Sequence, residues 1–164
     1  MLLNIILLLI LVISFITDLK SRRILNKITF PTMILGLTYH TITAGTHGLT
    51  FSGLGLLAGF GVLLIPYLMD GMGAGDVKLL AAIGALKGAT FVFGAFLFTA
   101  IIGGIIAVII LIWKKELLIS LKRIIFFTKL RKLSGLDQNE YHHAFPYGVA
   151  IVLGTIIQLG VNFG

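Results

Sequence analysis

The chain contains no cysteine, which excludes disulfides, thiol catalysis and cysteine-ligated metal sites. Charge is scarce as well: 12% of residues are charged, against about 25% in a soluble domain. Only six residues of 164 are acidic. No Pro/Ser-rich linker, low-complexity stretch or internal repeat divides the sequence, so a single membrane-embedded domain over 1–164 is expected. What is present instead is apolar side chain, 58% of the total with a mean hydropathy of +1.09. That is the composition of a polytopic membrane protein.

The net charge of +7 does not point to nucleic acid, because most of the 13 Lys and Arg residues sit in two short segments between apolar runs. Such clusters orient a membrane protein and face anionic lipid. Residues 1–17 resemble a signal peptide in hydrophobicity. They lack a basic leader and an Ala-x-Ala cleavage site, and their positive charges follow the apolar run. They are read as an uncleaved first span.

Apolar runs cover about 2–17, 28–44, 49–69, 77–87, 89–113 and 144–162. Five approach the roughly 17–25 residues of a membrane span. The fourth is short, and it is either a brief crossing or a re-entrant element. If all six cross, Lys20, Arg22, Arg23, Lys27, Lys78, Lys114, Lys115, Lys122, Arg123, Lys129, Arg131 and Lys132 share the cytoplasmic side, leaving only Lys87 outside. The positive-inside rule therefore favours a bundle of about six transmembrane helices, all α, with a short fourth span. Both termini then face outward. In Trp113–Leu133, apolar residues at helical spacing alternate with Lys and Arg, which predicts an amphipathic connector lying in the cytoplasmic interface.

Against this background the acids stand out. Asp18 closes the first span, and Asp76 opens the fourth within Gly73-Ala74-Gly75-Asp76-Val77-Lys78. A single membrane-edge carboxylate is commonly an interfacial residue, as Asp70 is taken to be, and a lone Gly-x-Gly is commonly a packing device. Two such acids on one side, one of them behind Gly-x-Gly, point further, to carboxyl-assisted hydrolysis. That reaction needs one ionised carboxyl to activate water and one protonated carboxyl to donate. The helix dipole favours the charged form of Asp76, and which partner carries the proton stays open. Gly73 and Gly75 are expected to permit positive φ and close approach, forming a hinge that brings Asp76 towards Asp18. Lys78 would neutralise lipid phosphate or support the site.

The remaining motifs are weaker. His142 and His143 are adjacent and point in different directions on a helix, so no metal site is expected. No His-Glu-x-x-His or Gly-x-Ser-x-Gly pattern suggests a zinc or serine protease.

Three patches resemble the type IV prepilin peptidases of the Gly-x-Gly-Asp class. Asp18 followed by Arg22-Arg23-Ile24-Leu25-Asn26 is similar to that family's first-aspartate segment, with Leu25 where proline is usual. Residues Gly73 to Leu79 resemble its second-aspartate motif. Phe145-Pro146-Tyr147-Gly148 is similar to the start of its last span. The resemblance implies an aspartic endopeptidase with Asp18 and Asp76 as catalytic residues and Gly73, Gly75, Lys78, Arg23 and Asn26 in support. It implies no cofactor. Its substrates would be pilin-like precursors, cut at the cytoplasmic face of the inner membrane. The lack of Cys-x-x-Cys pairs makes the chain similar to the short, peptidase-only form. A presenilin-like protease shares Gly-x-Gly-Asp, but there the first aspartate normally follows a tyrosine, whereas Asp18 follows Thr17. A transporter or a scaffold subunit of a secretion system is the non-enzymatic alternative, although the aspartates lie at an edge rather than at the midplane.

Overall fold

A computed structural model describes residues 2–21, 24–69, 71–113 and 147–162. The expected amphipathic connector, the His142/His143 pair, Arg22, Arg23 and Asp70 lie outside the described residues. Among the described residues five helices follow in order: α1 (Leu2–Ser21), α2 (Asn26–Leu68), α3 (Ala74–Lys87), α4 (Ala89–Trp113) and α5 (Tyr147–Val161). The fold is all-α. Three of the helices, α1, α2 and α4, are long and apolar enough to cross a membrane, and α5 is a shorter apolar helix.

Helix α2 is two arms rather than one rod. Ala44 (φ −133°) and Gly45 (φ 58°, ψ −135°) leave helical geometry, and glycine at 45 reaches that positive φ without a Cβ penalty. A Cβ at Gly48 would collide with the His40 carbonyl, so the chain doubles back at this point. The two arms correspond to the separate second and third apolar runs of the sequence.

Contacts fix the direction of each pass. Asn26 meets Lys78 and His40 meets Leu86, so the first arm of α2 runs parallel to α3. Ser52 bonds Ala85, while Gly59 abuts Leu80, so the second arm runs antiparallel to it. Asn4 bonds Lys87 and Asp18 interacts with Asp76, so α1 is antiparallel to α3 as well. Gly94 faces Gln158 and Gly154 faces Thr99, pairing α4 and α5 in opposite directions. The described residues therefore make six passes that alternate between two ends. Asp18, Asn26, Asp76 and Tyr147 stand at one end, and Asn4, the Gly45 turn and Lys87 at the other.

The short fourth pass is the centre of the bundle. Its 14 residues span only about 21 Å at ~1.5 Å each, less than the ~30 Å hydrocarbon core of a bilayer. It does not need to match the lipid, because from Asp76 to Leu86 every residue but Lys78 is buried in protein. A helix apolar on all sides belongs in such an interior. Small residues let the α2 arms close on it: a Cβ at Gly55 would strike Gly84, and one at Gly59 would strike Leu80. Close backbone approach of this kind is how helices associate in lipid, where the hydrophobic effect does not drive them together. Leu7 and Leu11 of α1, Leu79, Leu80 and Ile83 of α3, Val92 of α4 and Ile151 of α5 form the main core.

Candidate active site

Asp18 lies in the last full turn of α1, with its side chain only 5% exposed. Its Oδ2 accepts the Val149 N–H at 3.1 Å, from the first turn of α5. A helix N-terminus presents unpaired amides and positive dipole charge, so it is a natural partner for a carboxylate. The approach is tight: a Cβ on Gly148 would sit 2.7 Å from the Asp18 Cγ. Glycine at 148 is thus required by space.

Asp76 occupies the first turn of α3 and is 9% exposed. Its Oδ2 accepts the N–H of Gly73, the residue preceding the helix, at 3.2 Å. The two carboxyls, each held by a backbone amide and carried on different helices, interact electrostatically. Tyr147, the half-buried first residue of α5, in turn feels the charge of Asp76. Three helix termini thus converge: the C-terminal end of α1 and the N-terminal ends of α3 and α5.

The glycines work differently from the sequence expectation. Gly73 has φ −77° and ψ 147°, extended backbone open to any residue, and Gly75 lies within α3. Among the described glycines only Gly45 and Gly88 have positive φ. Residues 73 and 75 are small because of what stands beside them. A Cβ on Gly75 would lie 3.0 Å from the Ile24 Cβ, and one on Gly73 would lie 3.3 Å from Asp76 Oδ2. The motif is a helix start packed against Ile24, with no positive φ at either glycine.

Of the supporting residues, Lys78 and Asn26 touch one another. Lys78 Nζ donates to Asn26 Oδ1 at 3.0 Å, in an exposed position, and lies 5.1 Å from the centre of the Phe30 ring. This pair ties α2 to α3 on the rim of the carboxyl end. Arg23 is outside the described residues. Among the described residues no group of three or more His, Cys, Asp or Glu side chains converges as metal ligands would.

Two participants were not singled out from sequence: Tyr147, and the Val149 amide made accessible by Gly148. The signal was within Phe145-Pro146-Tyr147-Gly148, which marks the start of a helix but does not say that this start faces an acid 130 residues away.

A profile of the type IV leader peptidase family matches residues 5–108, which include both aspartates and the intervening helices. A prepilin leader peptidase/N-methyltransferase of Vibrio cholerae serotype O1 is 34% identical over 98 residues, covering 54% of this chain and 37% of the relative. The chain thus spans well under half the length of that curated relative. No solved structure matches it. With the family profile covering more than half of its residues, the chain belongs to the type IV leader peptidase family.

Proposed function

We propose that this protein is an aspartic endopeptidase that removes the leader of type IV pilin-like precursors at the cytoplasmic face of the inner membrane. Asp18 and Asp76 are its catalytic pair. The observation that carries this reading is the convergence of two buried, interacting carboxyls from separate helices at one end of the bundle. Like charges at close range do not both ionise readily, so the pair shares a proton. The ionised member takes a proton from water as the water oxygen attacks the peptide carbonyl, and the protonated member donates to the carbonyl oxygen. The resulting gem-diol then collapses: the C–N bond breaks as the newly protonated carboxyl gives its proton to the leaving nitrogen, and the other carboxyl takes one back from a hydroxyl. Lys20, Lys27 and Lys78 at the same end would then face anionic lipid, in keeping with the positive-inside rule. Membership of the family supports the substrate class.

The test is co-expression of a pilin-like precursor with the wild type, Asp18→Asn or Asp76→Asn. Wild type should shorten the precursor. Each Asn variant should insert normally and lower cleavage by at least about a thousandfold, the scale of losing a residue that acts as part of a catalytic unit. Processing that survives either substitution would overturn the pair. Because activity needs one shared proton, the rate should fall on both sides of an optimum pH.

A further inference from the structure

Ser14 lies on α1 four residues before Asp18, and its side chain is fully buried. The buried face of α1 reads Leu7, Ile10, Leu11, Ser14, Asp18, one continuous stripe at helical spacing. Asp18 and Ser14 are thus consecutive polar groups on the same inward face.

Five other serine or threonine hydroxyls are buried among the described residues. Thr32, Thr99 and Thr155 donate to the carbonyl four residues back, Thr29 to the one three back, and Ser52 to Ala85 across the α2–α3 seam. Ser14 Oγ is the one buried side-chain polar atom among the described residues without a hydrogen-bond partner. The carbonyl of Ile10 is the usual acceptor for a serine at that position, yet the hydroxyl is not bonded to it. A buried, unbonded hydroxyl carries a desolvation cost that alanine would avoid. Side chains on a helix lean towards its N-terminus, so Asp18 leans over the turn that holds Ser14.

We propose that Ser14 is a positioning residue for Asp18. In this role the Ser14 hydroxyl, unbonded in the resting arrangement, turns to donate to the Asp18 carboxyl one helical turn on. The Val149 amide of α5 then holds Asp18 from one side and Ser14 holds it from the membrane interior. Among the described residues, the charged or titratable groups near Asp18 include Asp76 on α3 and the exposed Lys20 on its own helix. On α5, Tyr147, which feels the charge of Asp76, precedes the Gly148 and Val149 that touch Asp18. Lys78 is turned to Asn26. This inference rests on the aspartic peptidase reading, which makes the aim of Asp18 matter for rate.

The experiment compares wild type, Ser14→Ala and Ser14→Thr with two readouts. In precursor cleavage, Ser14→Ala should lower kcat by about tenfold, the worth of one hydrogen bond to a carboxyl, with KM within about twofold. Ser14→Thr, which keeps the donor, should restore most of the rate. The second readout needs no substrate. It is the infrared C=O stretch of the Asp18 carboxyl in the purified full chain, recorded at a pH acidic enough to protonate both carboxyls and identified as the band lost in Asp18→Asn. Losing a donor should move that band to higher wavenumber in Ser14→Ala and leave it in place in Ser14→Thr. An unmoved band, an unchanged kcat, or equal impairment of both variants would overturn the positioning role. A wild type that cuts no precursor would defeat the peptidase reading, while the infrared band would still decide whether Ser14 bonds Asp18.

Discussion

Helices α3 and α4 are neighbours in the chain, joined at Gly88 (φ 84°), yet they occupy opposite environments. Helix α4 is almost wholly apolar and presents Phe93, Leu97, Ile101, Ile105, Val108 and Ile112 outward. Helix α3 carries Asp76, Lys78 and Lys87 and is the most enclosed element. In water this placement would be inverted. In lipid, apolar side chains are content at the outer surface, whereas carboxyls need a protein interior with hydrogen-bond donors. The contrast shows why the carboxyls sit where they do: the central helix carries Asp76 away from lipid, and its start is where the inward face of α1, with Asp18, and the start of α5 converge.

The sharpest way to break the contrast is to enlarge the wall around α3. Gly84→Leu should prevent the α2–α3 seam from closing, because a Cβ there already collides with Gly55. A cost of about 3 kcal/mol or more is expected for such overpacking, read as loss of folded protein in membranes. Gly148→Ala is milder for the fold and severe for the site. Its new methyl must displace Asp18, and a misplacement of roughly 1 Å can cost about a hundredfold in rate. Cleavage should fall by that order while insertion stays normal. The smallest effect belongs to α4. Ile105→Leu on the exposed face should change stability by no more than about 0.5 kcal/mol, measured as the detergent melting temperature, and leave cleavage unchanged.

The sequence made some of this legible for clear reasons. Asp18 and Asp76 were visible because acids are rare and costly in an apolar chain, and the alternation of charged segments predicted six passes. The central position of α3 was not visible, since apolar residues facing lipid and apolar residues facing protein look alike in composition. Its length was the only clue. Gly73 and Gly75 were noticed, but with the wrong emphasis. Their backbone angles are ordinary, and their small size serves Ile24 and the Asp76 carboxyl. The Lys78–Asn26 bond joins residues 52 positions apart, a pairing that residue type suggests only in general terms. Ser14 is set aside in the sequence as a serine outside any Gly-x-Ser-x-Gly pattern, and its positioning role required knowledge of which groups are buried without partners.

The central claim is that two carboxyls on different helices share one site, and the absence of cysteine allows it to be tested without background. Full-length protein carrying Asp18→Cys and Asp76→Cys would be treated in membranes with a short bifunctional thiol reagent. A control would combine Asp18→Cys with Lys87→Cys at the opposite end of α3. The account predicts rapid intramolecular cross-linking of the first pair and none of the second. Failure of the first pair to cross-link, or equal reaction of both, would contradict it.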